Sequence, residues 1–118
     1  MFDYKKIFSS SLEASVASTN GRLVQGEEGY QKFIKLIILH NINTTTETIE
    51  LFYVPTDASV AAETRDSHKI WQLELSADET MMLEMPVPGI ILDEADCYLK
   101  GKSTTTDKVS IQIYGGVE

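Results

Sequence analysis

The strongest constraint in this chain is a period of two. In Lys108-Val109-Ser110-Ile111-Gln112-Ile113-Tyr114 the apolar residues Val109, Ile111 and Ile113 alternate with Lys108, Ser110 and Gln112. Successive side chains of a strand point to opposite faces, so this pattern describes a β-strand with one face in a core and one in water. Ile70 to Leu75 repeats it, with Trp71, Leu73 and Leu75 inward and Gln72 and Glu74 outward. Thr48 to Val54 is another such run, ended by Pro55, which cannot donate to a sheet ladder. Shorter runs follow at 80–85, 90–92 and 97–102, and weaker ones stand at 7–16 and 22–25.

Tyr30 to Asn41 is the most hydrophobic stretch. On strict alternation Ile34, Leu36 and Ile38 share one face, and Phe33, Ile37 and Leu39 the other. Apolar residues on both faces mark a central strand, covered on one side by the facing sheet and on the other by a neighbour or a subunit contact. Helix is the competing reading, and the β-branched content and the following Asn and Thr residues favour strand.

Turn chemistry divides the strands. Asn20-Gly21 is a hairpin signal, because both residues tolerate positive φ. Gly26 to Gly29, Thr44 to Thr46, Ser76 to Glu79, Asp93 to Asp96 and Ser103 to Asp107 read as further turns. The turns at Thr44–Thr46, Ser76–Glu79 and Thr104–Thr106 are each expected to close a hairpin. Thr56 to Lys69 is the longest loop, and Val60 to Arg65 within it has the composition of a helical turn or two. About eight strands at this spacing imply an all-β, antiparallel β-sandwich, jelly-roll or immunoglobulin-like. The whole chain, 1–118, reads as one domain, with 30–116 as its core and 1–25 as an arm or edge strand.

Charge narrows the function. Ten Lys and Arg against eighteen Asp and Glu give a net charge of −8, which repels phosphate backbones and disfavours unaided nucleic-acid binding. The single cysteine, Cys97, excludes an intrachain disulfide and reads as a small buried apolar residue. Leu36 to Leu39 is too short to span a bilayer, and no secretory signal follows the N-terminus, so a soluble cytoplasmic product without membrane partners is expected.

No catalytic, cofactor-binding or metal-binding set emerges. Asp93-Glu94-Ala95-Asp96 spells a helicase box but lacks the phosphate-binding loop that such a box works with. Its carboxylates read as solvated turn charges before they read as a Ca²⁺ site. His40 and His68 lack a local third ligand or nucleophile. Trp71 is in phase with Leu73 and Leu75 and reads as core, which weakens a sugar-stacking role. Met82 and Tyr114 fall in the polar phase of their strands and read as partner contacts, as interfaces favour Tyr and Met. Phe2, Tyr4, Ile7, Phe8 and Leu12 are read as contacts made by an N-terminal arm.

Five segments together resemble small β-sandwich virion structural proteins of tailed bacteriophages. They are Phe33 to Asn41, Thr48 to Pro55, Ile70 to Leu75, Pro86 to Leu92 and Val109 to Gly115. The shared pattern is a strand ending in His-Asn, a Thr-rich turn, a strand ending in Val-Pro, and a late acidic turn before a terminal strand and Gly. It covers about residues 30–116, and departs from the group at Glu94-Ala95, where Gly commonly precedes the Asp. The resemblance implies a noncatalytic virion protein assembled in the host bacterial cytoplasm. Its role would be capsid decoration or cementing, or alternatively that of a neck, collar or tail adaptor for fibres. Its partners would be other virion proteins, a major capsid protein or neck and tail proteins, and copies of itself in a homo-oligomer such as a trimer. A carbohydrate-binding host-adsorption module is the rival from another class, and a hydrolase the weakest.

Overall fold

The computed structural model describes residues 5–17, 20–55, 66–86 and 89–117. Among the described residues nine strands form: β1 (Lys5–Ser11), β2 (Arg22–Gln25), β3 (Lys32–Asn41), β4 (Glu47–Val54), β5 (Lys69–Leu75), β6 (Thr80–Glu84), β7 (Ile90–Leu92), β8 (Tyr98–Ser103) and β9 (Val109–Val117). The only helix among the described residues is one 3-10 turn, Asp66–His68. Of residues 30–41, Lys32–Asn41 is strand, as the β-branched content predicts.

Two antiparallel sheets carry these strands. The first has the order β1-β9-β3-β6, with β7 also on β3, and the second β2-β8-β4-β5. The pairing is nested. β1 pairs β9, β2 pairs β8, β3 pairs β6 and β7, and β4 pairs β5. One long folded-back ribbon has thus rolled up, and the contacts β3·β9 and β4·β8 close it into two sheets. That is the jelly roll, not the immunoglobulin arrangement. β6 and β7 are two halves of one strand, since β6 covers Leu36–His40 of β3 and β7 covers Lys32–Ile34.

This topology corrects the expected hairpins. β3 and β4 lie in different sheets, as do β5 and β6, and β8 and β9. The Thr44–Thr46, Ser76–Glu79 and Thr104–Thr106 turns are therefore arches between sheets. β2 likewise pairs β8 rather than returning along β1, although Gly21 does adopt φ 75° just before it.

The arches are tied by buried polar side chains. Asn41 is fully buried and its Nδ2 donates to the carbonyls of Thr45 (2.9 Å) and Leu75 (3.0 Å), while its Oδ1 accepts from the Asn43 amide (2.8 Å). Glu47, 1% exposed, accepts from the Thr105 amide (2.8 Å), the Thr105 hydroxyl (2.9 Å) and Asn43 Nδ2 (3.1 Å). A buried polar group is tolerable when its hydrogen bonds are made, and here they lock the arches together.

The core lies between the sheets. Ile34, Ile37, Leu39, Ile111 and Ile113 from the first sheet meet Ile49, Leu51, Leu75 and Leu99 from the second. Leu12 is 0% exposed within it, and Ile7 and Phe8 pack against it. The expected arm is therefore, over its described part, an edge strand. Leu12 fills the core and is no surface contact. Phe2, Tyr4 and the Val60–Arg65 segment lie outside the described residues.

A register shift at Ile34/Leu36 places one extra residue, Lys35, in β3 opposite β9. Such a bulge flips the side-chain phase beyond it. Ile34, Ile37 and Leu39 consequently point into the core, and Leu36 and Ile38 point out, correcting the faces read from strict alternation. Gly115 allows the bulge, because a Cβ there would collide with the Phe33 carbonyl.

Candidate functional site

The outer face of the first sheet is built by cross-strand rows. One row runs Lys6, Tyr114, Leu36, Glu84 across β1, β9, β3 and β6. The next runs Ser9, Gln112, Ile38, Met82, and the third Ser11, Ser110, His40, Thr80. Cross-strand neighbours share a face, so each row presents its side chains together. An apolar strip of Leu36, Ile38, Met82 and Tyr114 results, with Met82 61% exposed and the other three half-buried. The Lys6 ammonium sits 5.9 Å from the centre of the Tyr114 ring, and the Tyr114 hydroxyl donates to Gln112 Oε1 (2.8 Å). Lys6 and Glu84 are exposed at opposite edges of the same row. Beside Glu84, where β6 gives way to β7, Lys35, Leu36, Glu84 and Met85 line a shallow groove of about 370 Å³. Among the described residues no ion pair crosses this face.

The outer face of the second sheet is different. Glu50 takes Lys69 (2.6 Å) and Lys102 (3.1 Å), and the Lys69 hydrogen bond holds its carboxyl below the usual range despite an opposing push from burial. Phe52, Val54 and Tyr98 form a second apolar cluster there, with Val16 of the β1–β2 connection packed on it. The Arg22 guanidinium stacks 4.1 Å from the Tyr98 ring. Lys100 is fully buried beneath the same connection and donates to the Val16 carbonyl (3.2 Å). Burial, and then the Arg22 charge, hold its ammonium below the ordinary lysine range. The chain thus covers the β4 and β8 part of this face with its own residues, while Ile70, Gln72 and Glu74 of β5 stay exposed on it.

The remaining candidate residues are scattered. His40 lies on the outer face of the first sheet with Nδ1 2.7 Å from Thr80 Oγ1, while His68 ends the 3-10 turn before β5 in the second. Asp93, Glu94 and Asp96 are exposed in the β7–β8 turn. Cys97 is 1% exposed and donates to the Glu94 carbonyl (3.0 Å). Tyr53 bonds the Ile91 carbonyl (3.2 Å), and burial, with Cys97 and then Asp93 and Glu94 nearby, pushes its hydroxyl up to about 12. No group of three or more His, Cys, Asp or Glu among the described residues is placed to hold a metal ion. Among those residues, no helix is long and apolar enough to cross a membrane.

Of the contacts expected from sequence, Met82 and Tyr114 come together on one face. Leu36 and Ile38, which join them, were hidden by the bulge. The charged Lys35 inside an apolar run is the one sequence signal that marks the break. No family model, curated protein or solved structure matches this chain.

Proposed function

We propose that this chain is a noncatalytic structural protein of a bacteriophage virion that works by adding subunit contacts, foremost as a capsid decoration or cement protein. One observation carries the reading: no described residue covers an apolar strip on the outer face of the first sheet, while the β4 and β8 part of the second sheet's outer face is covered by the chain itself. Exposed apolar strips bounded by polar residues are what protein contacts use. Jelly rolls are common among viral capsid domains, which supports the virion setting by fold analogy alone. The net charge of −8 fits a position away from packaged nucleic acid. On a shell, many modest contacts add to strong retention.

Mass spectrometry of purified particles from infected cells carrying this sequence tests the reading. The chain is expected in the particles at hundreds of copies. A copy number matching a single ring moves it to the neck or tail, and absence from particles overturns the proposal.

A further inference from the structure

We infer that the outer face of the first sheet is self-complementary and pairs with a second copy of this chain, about a two-fold axis parallel to the strands and between β9 and β3. The inference rests on the reading of this protein as one that works through subunit contacts, and names the partner of that face.

The argument is one of register. Rotation about such an axis lays β1 of one copy over β6 of the other, and β9 over β3. Residues of one row stay level with one another. Lys6 then meets the partner copy's Glu84, and Tyr114 meets its Leu36, because all four share a row. The stacked Lys6–Tyr114 pair would seat against the groove formed by Lys35, Leu36, Glu84 and Met85. Each contact occurs twice, as a two-fold interface requires. In the third row, Ser110 faces His40 and Ser11 faces Thr80, polar against polar. An in-plane axis perpendicular to the strands would instead exchange the rows and leave Lys6 and Glu84 without each other. Aligned packing of one sheet on another is an ordinary arrangement for twisted sheets.

The size of the face sets the strength. Four strands about 4.8 Å apart and three rows about 6.7 Å apart make a platform on the order of 400 Å². Stable interfaces bury about 800 Å² per partner, so this pairing is expected to be weak and concentration-dependent.

Sedimentation velocity of the full chain, from low to high micromolar concentration, tests it with two charge reversals. The native chain should pass from monomer to dimer over this range. Lys6→Glu and Glu84→Lys should each weaken dimerisation about tenfold or more, and the double reversal should restore it, as for a close charge pair across an interface. Both residues are exposed, and circular dichroism of each variant verifies that it folds. A native chain that stays monomeric overturns the pairing. So does a dimer indifferent to the single reversals, or a double variant no tighter than the singles. A monomeric chain that is nevertheless found in virus particles removes the pairing and leaves the structural-protein reading standing.

Discussion

The two outer faces of this sandwich are made of similar strands and are treated in opposite ways. On the second sheet, the apolar side chains of β4 and β8 that point away from the core are covered, while Ile70 of β5 is exposed. Val16 packs on Phe52, Val54 and Tyr98, Arg22 stacks on Tyr98, and Glu50 joins Lys69 and Lys102. On the first sheet Leu36, Ile38, Met82 and Tyr114 stand in a strip that no described residue covers. The described residues seal the β4 and β8 part of one face and leave the other uncovered. The open face is where contact with something else gains most, since apolar surface there is still to be removed from water.

The sharpest way to break this contrast is to truncate one residue on each face. Phe52→Ala removes a side chain that is 3% exposed, and should lower the unfolding free energy in urea by about 3–5 kcal/mol. If Phe52→Ala costs no more than a surface substitution, the second face is not sealed in solution.

A smaller effect is expected at Glu50. Glu50→Gln removes the charge that Lys69 and Lys102 share, and should cost about 0.5–1 kcal/mol near neutral pH. The carboxyl titrates lower in the folded chain than in the unfolded one, so its contribution is present above the unfolded value and fades as pH falls through the folded value. Urea titrations across the acid range should therefore bring the native and Glu50→Gln proteins closer together as pH falls. Curves that stay parallel would remove the ion cluster from the account.

The smallest change is expected at Met82. Met82→Ala sits at a position that is 61% exposed, so monomer stability should stay within about 0.5 kcal/mol. A larger loss in dilute solution would mean that Met82 packs within its own subunit.

Strands such as β5 and β9 were legible because they carry a period of two, and so was the outward phase of Met82 and Tyr114. The pairing was not, since β1·β9 and β2·β8 join residues from opposite ends of the chain and local pattern carries no record of such partners. Turn chemistry misled in a definite way. Thr and Asn at 41–46 and Thr at 104–106 suit an arch between sheets as well as a hairpin, and what distinguishes them here is the buried Asn41 and Glu47 that the turns wrap. The first segment misled for another reason. Ile7, Phe8 and Leu12 are too sparse to announce a buried strand, yet Leu12 completes the core between the two sheets. Half of the apolar strip depends on the bulge at Lys35, which moves Leu36 and Ile38 outward against simple alternation.

Hydroxyl-radical footprinting across a concentration series tests most directly the claim that one face is made for contact and the other is closed by its own chain. Oxidation of Met82 and Tyr114 should fall as concentration rises, while Phe52 and Tyr98 should stay protected throughout. Unchanged oxidation of Met82 at every concentration, or ready oxidation of Phe52 and Tyr98 in dilute solution, would contradict it.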